Sequence, residues 1–191
     1  MTGLLGTSQL AGALRYALVA VEPVTAAQLT EPTPCRGWDL RALLLHMSDS
    51  LAAIGEGLCA GRVSLDPPDA GPVGDPVAAV TRGASQLLAR CKAGPAQIGT
   101  PTAEADVLIA GCPLTTGLLC SVGAIEIAMH AWDVSQACCT GRPIPEQLAG
   151  ELLRTAAELI YPDERAPQFA LPRHVPVTAS ASDRLAGFLG R

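Results

Sequence analysis

Residues Ala124–Ala137 read AIEIAMHAWDVSQA, a stretch with the composition of a core helix that nevertheless carries a glutamate, a histidine and an aspartate. At about 100° per residue, Glu126, His130 and Asp133 stack on one face, at i, i+4 and i+7. Leu119 and Val122 share that sector, flanked by Leu118, Ile125 and Met129, while Ala124, Ala128, Ala131 and Ser135 lie opposite. The acid and the imidazole are therefore expected on the centre line of the stripe that a helix turns inward. An ionised carboxylate is rarely buried without a partner, and a cation is the partner that also accepts a neutral imidazole. Glu-x-x-x-His thus reads as two ligands of one metal. The same spacing also suits a Glu126–His130 hydrogen bond on a half-exposed groove, with Asp133 solvated beyond the edge of the core.

Working outward, 191 residues suffice for one domain with a full core, and a single domain over 1–191 is expected. Hydrophobic residues make up 49% and charged residues 16%, which suits a helical bundle and argues against disorder. A net charge of −5, with no basic run and only two each of Trp, Tyr and Phe, disfavours a nucleic-acid partner. No signal peptide or membrane span is read in the N-terminal stretch, so a cytoplasmic protein without a membrane partner is expected. The seven cysteines include no C-x-x-C pair, which speaks against a disulfide framework or a cysteine zinc site. Most are expected to be small core residues; Cys35 and Cys112, in Pro-rich connections, are the two to test for reactivity.

The remaining chain reads as helices. Thr7 or Ser8 can cap a first one to about Glu22, with Leu10, Leu14, Leu18 and Val21 at helical spacing. LTEPTPCRGWD (Leu29–Asp39) is too rich in Pro and Gly for regular structure, and Trp38 reads as the anchor that pins it to the bundle. Asp39 caps a second helix to about Cys59 with Leu40, Leu43, Met47, Leu51, Ile54 and Leu58 inward. His46 lies about 100° from that face, beside Ala42, Ser50, Ala53 and Gly57, and by wheel position alone reads as a surface or helix-contact histidine. Asp75 and Pro76 open a third helix to about Lys92, with Val77, Val80, Leu87 and Leu88 inward. The connection between Pro95 and Pro113 is long for a bundle and a candidate lid, with a short extended segment at Asp106–Ala110. Thr115 or Thr116 caps the fourth helix, which ends before Gly141, and Pro145 starts a fifth. Residues 161–191 read as a mostly irregular tail over the outside, closing in a helical turn at Asp183–Leu189, with His174 facing solvent.

Three stretches together carry a resemblance: PTPCRGWDLRALLLHM (Pro32–Met47), EIAMHAWDVSQACCTGRPI (Glu126–Ile144) and VPVTASASDRLAGFLGR (Val175–Arg191). They resemble the DinB-like superfamily, in its actinobacterial branch related to mycothiol-dependent maleylpyruvate isomerase. The resemblance implies an all-α, up-down-down-up four-helix bundle with an additional C-terminal helix and irregular tail. It also implies a divalent metal, zinc first with nickel or iron as alternatives, held by His46, Glu126 and His130. Three ligands leave an open position, the mark of a catalytic rather than a structural site. Asp133, one turn on, is the candidate catalytic residue, as an acceptor that orients an imidazole. The activity implied is that of a thiol transferase or isomerase, with mycothiol or a related thiol as cosubstrate and a small electrophile as substrate; a homodimer is compatible with it. The alternatives are a metal-assisted reaction on a biosynthetic intermediate without a thiol, and a non-catalytic metal-binding partner protein. Arg36, Arg41, Arg62, Arg142 and Arg173 are scattered along the chain, and the cosubstrate's polar part would need them to converge.

Overall fold

Four long amphipathic or wholly apolar segments leave this chain one economical way to hide its leucines, which is to pack helix on helix. The computed structural model describes residues 2–64, 74–93, 107–109, 111–161, 163, 165 and 169–191, the side chains of 2–5 excepted. In chain order these form α1 (Thr2–Val21), α2 (Leu40–Ala60), β1 (Arg62–Val63), α3 (Pro76–Ala93), β2 (Val107–Ile109), β3 (Cys112–Leu114), α4 (Thr116–Ala137), α5 (Glu146–Leu159) and α6 (Ala181–Phe188). Helices α1 and α2 each pack against both α3 and α4, so α1 and α2 occupy opposite corners of a four-helix bundle. Helix α5 packs on α1 and α4, and α6 on α5.

The second and fourth helices start where their caps place them: Asp39 accepts from the Ala42 N–H at 2.8 Å, and Thr115 from that of Leu118 at 3.1 Å. In α2, Leu40, Leu43, Met47, Leu51, Ile54 and Leu58 are all buried, as the periodicity predicts. Helix α1, in contrast, does not begin at Thr7 or Ser8 but at Thr2. Tertiary packing carries it past those residues: a Cβ on Gly6 would collide with the Gly117 carbonyl oxygen of α4.

Helix α4 corrects the wheel reading. Ala124, Ala128, Ala131 and Ser135, expected away from the core, are fully buried, and Val122, expected inward, is 49% exposed. With α1, α2 and α5 all packed against it, the helix has its tightest contacts on the alanine side, where small side chains let a neighbour approach. Leu119, Ile125 and Met129 of the Glu126 stripe are buried as expected, and Glu126 itself is half-buried at the mouth of the bundle. By length and composition α4 could cross a membrane, but here it is the central core helix.

The expected extended segment is β2, the centre of a three-stranded sheet parallel to β1 and antiparallel to β3, so the chain is mostly rather than wholly helical. Most of the candidate lid, residues 94–106 and 110, lies outside the described residues. The C-terminal segment is an external tail only in part: residues 170–178 are irregular and mostly exposed, but Ala181, Leu185, Ala186 and Leu189 are buried in the common core. Ser180 caps α6 by accepting from the Asp183 N–H, and the Glu146 carboxylate of α5 accepts from the Ala181 N–H at 3.0 Å. Arg165 ties the irregular segment before α6 down, donating to the carbonyls of Ala170 and Phe188. His174 is exposed, as expected.

Candidate metal centre

Glu126 and His130 project from α4 toward the flank of α2 that carries His46. The Nε2 of His46 lies 2.7 Å from Glu126 Oε1, and that of His130 lies 3.2 Å from the same oxygen. Ser50, one turn after His46, donates to this oxygen at 3.2 Å. One ligand atom each from His46, Glu126 and His130 falls within 4.8 Å of the others. Tetrahedral ligands at about 2.1 Å from an ion stand roughly 3.4 Å apart, so small side-chain adjustments bring this set around a divalent cation. Two imidazoles and a carboxylate are also the donor chemistry zinc accepts. His46, a helix-contact residue by its wheel position, gains this place because Ser50 and the small residues beside it leave the flank open.

The Trp38 ring lies against both imidazoles, with centroids 4.8 Å from His46 edge-on and 6.3 Å from His130 stacked. Expected as a loop anchor, Trp38 is 37% exposed and covers the site. The two imidazoles meet edge to face at 4.9 Å.

On its other nitrogen His130 faces a second group. Its Nδ1 lies 3.2 Å from Asp133 Oδ2, and Asp133 is fully buried rather than solvated. Cys35, from the Pro-rich loop, donates its thiol to Asp133 Oδ2 at 3.1 Å and stands 3.6 Å from His130 Nδ1. Arg191 grips the carboxylate with a fork, Nε to Oδ1 at 2.9 Å and Nη2 to Oδ2 at 2.8 Å, and its Nη2 also donates to Cys35 Sγ at 3.3 Å. Cys35, His130 and Asp133 form a second possible metal-binding triad. Its cation, however, is already present as the Arg191 guanidinium, so the open set is His46, Glu126 and His130.

The electrostatics follow from this layering. Burial opposes the charge on Glu126, but hydrogen bonds from His130 and His46 outweigh it and hold the carboxyl well below the usual range. Burial also opposes a charged His130, yet contacts with Asp133, Cys35 and Glu126 push its value up to about 11. Asp133 is lowered despite burial by His130 and Arg191.

Sequence reasoning missed Arg191 altogether and named Cys35 only as a thiol to test for reactivity. The signal available was their presence in the first and third of the matching stretches. The five scattered arginines make no hydrogen bond to these site residues among the described residues; Arg142 lies with Arg15 along a groove between α1 and α5. The expectation of core cysteines holds in part: Cys120 is buried and Cys35, Cys91 and Cys138 are half-buried against the core, whereas Cys59, Cys112 and Cys139 are exposed.

Residues 10–135 match the family described as mycothiol maleylpyruvate isomerase N-terminal domain. That span runs from α1 to α4 and contains Cys35, His46, Glu126, His130 and Asp133, but not Arg191. Among curated proteins, the uncharacterized proteins Rv0738 and MT0763, from two strains of Mycobacterium tuberculosis, are each 29% identical over 172 residues, 88% of this chain and 87% of theirs. No solved structure matches the chain at a significant level.

Proposed function

The chain belongs to the mycothiol maleylpyruvate isomerase N-terminal domain family, and from that premise we propose a divalent-metal-dependent enzyme that brings a low-molecular-weight thiol to a small electrophile. The observation that carries this reading is the convergence of His46, Glu126 and His130 on one point, with no fourth protein ligand in the set among the described residues. Zinc is the first candidate, nickel or iron next. A bound divalent ion would supply Lewis acidity, favouring a thiolate over a thiol at neutral pH. Glu126 brings the set's one negative charge, so a loaded centre keeps a net positive character that attracts an anionic sulfur. Asp133 acts behind His130 as a positioning residue, and Trp38 shields the imidazoles from water on one side. Cys35 sits at the far nitrogen of His130, tied to Asp133 and Arg191, which leaves the nucleophile to an exogenous thiol of the mycothiol type.

One observation favours a second reading, a metal-assisted reaction without a thiol cosubstrate. The arginine that reaches the site, Arg191, is committed to Asp133, and among the described residues no other arginine hydrogen-bonds to the site residues to help grip a polar pseudodisaccharide. One experiment separates the two. Chain purified without a histidine tag is analysed for metal and then titrated calorimetrically with mycothiol in two buffers of different ionisation enthalpy. About one divalent ion per chain and a buffer-dependent heat of thiol binding support the first reading. Metal without thiol binding at millimolar concentration favours the second, and metal surviving in a His46→Ala/His130→Ala variant overturns both.

A further inference from the structure

Two triads share His130, one on each ring nitrogen: Nε2 faces His46 and Glu126, and Nδ1 faces Cys35 and Asp133. An imidazole flanked by two ligand sets poses a problem of selection. The Cys35 set contains a sulfur, which borderline and soft divalent ions prefer to an all-nitrogen-and-oxygen set. Left alone it would compete for the ion and draw His130 to the wrong side.

We propose that Arg191 selects between these two sets: by seating a guanidinium on Asp133 and Cys35 it denies that side to a metal and reserves His130 Nε2 for the His46–Glu126 side. The proposal rests on the metal reading of that first triad. Its geometry is specific. The fork satisfies both oxygens of a fully buried carboxylate, and the remaining donor contact goes to the Cys35 sulfur. A cation that accepts no lone pair fills the electrostatic role of an ion without recruiting the imidazole. Asp133 Oδ2, held by Arg191, then takes the Nδ1 side of His130, which leaves Nε2 as the nitrogen that faces Glu126 and His46.

The chain delivers this side chain deliberately. Arg191 closes the end of α6 with its N–H on the Ala186 carbonyl at 2.8 Å. Gly190 before it has φ +84°, and a Cβ there would lie 2.9 Å from the Ala170 carbonyl carbon and oxygen, so the turn that aims Arg191 inward admits glycine alone. The contact joins residues 58 and 156 positions apart, from the first loop, the central helix and the last helix.

Cobalt(II) tests the selection, because thiolate ligation adds an intense near-ultraviolet charge-transfer band that nitrogen and oxygen ligands lack. The wild-type chain titrated with cobalt is expected to show no such band, and Cys35→Ser is expected to leave its spectrum and affinity unchanged. Arg191→Gln is expected to gain the band, Arg191→Gln/Cys35→Ser to lose it again, and Arg191→Lys to resemble the wild type. A purely structural role for Arg191 would change stability without creating a sulfur-to-metal band. A thiolate band in the wild type that Cys35→Ser removes, or an unchanged spectrum in folded Arg191→Gln, overturns the proposal while leaving the metal centre standing. Absence of any cobalt or zinc binding to the wild type overturns the metal centre itself and this selection with it.

Discussion

Glu126 is the residue on which both histidines depend, since its Oε1 faces the Nε2 atoms of His46 and His130 and the Ser50 hydroxyl. In the ion-free protein His130 lies between this carboxylate and that of Asp133, and its value of about 11 means that it is cationic at neutral pH. Metal uptake must displace that proton, so affinity is expected to rise with pH, and proton release is measured as a buffer-dependent heat. Glu126→Gln removes the charge that holds both imidazoles and is expected to lose at least about tenfold in zinc affinity by chelator competition. Stability follows the same groups. His130 has a raised folded value, so its ion pairs contribute fully below its ordinary 6.5 and are lost as the pH climbs through about 11. Glu126 and Asp133 have lowered values, so theirs contribute above 4.5 and 3.8 and are lost as the pH falls through the folded values. Urea midpoints of ion-free protein are therefore expected to fall as the pH drops below about 4, and Glu126→Gln to flatten that fall.

At the scale of the element, α4 supplies the packed frame from which the site projects. Thirteen of its residues are buried, and its neighbours press on it from several sides. Gly6 of α1 abuts the Gly117 carbonyl, and a Cβ on Gly123 would come 2.7 Å from Ile54 Cδ1 of α2. Backbone cannot yield as a flexible side chain does, so Gly6→Ala is expected to cost about 1–3 kcal/mol, read as a lower urea midpoint with an unchanged slope. Gly123→Ala meets only the end of an isoleucine and is expected to cost less. The ladder of small residues is thus a packing device, and the polar stripe is free to face the mouth of the bundle because the alanine side already secures the helix.

For the molecule as a whole, the C-terminal segment closes the Asp133 side of the site. Leu185 and Leu189 are buried, Ser182 accepts from the Ile144 N–H at 3.0 Å, and Arg173 donates its N–H to the Gly187 carbonyl at 2.8 Å. These contacts hold Arg191 over α4. Leu185→Ala is expected to cost about 2–5 kcal/mol as a core truncation. It is also expected to speed hydrogen exchange of the Leu189 and Arg191 amides ahead of those in α2, because α6 packs mainly on α5 and can release locally.

Local chemistry decided what the sequence could determine alone. A helix needs only its own periodicity and cap, so α2, α3 and α4 were legible from their leucines and from Asp39, Asp75 and Thr115. The pairing of Glu126 with His130 was legible too, because i, i+4 spacing is fixed by helix geometry. Apart from the link of His46 to Glu126 and His130, which only the family resemblance supplied, the tertiary structure decided what joins different elements. His46 meets Glu126 across 80 residues, and Arg191 meets Cys35 across 156. No periodicity encodes which flanks face each other, since this depends on how close two helices can come. The direction of the α4 faces turned on the same point: hydrophobicity ranks alanine below leucine and valine, but close packing against α1 buried Ala124 and Ala128 and left Val122 half in solvent. The physical reason is that burial is a property of neighbours, and a single sequence names a residue's neighbours only within a turn or two of helix.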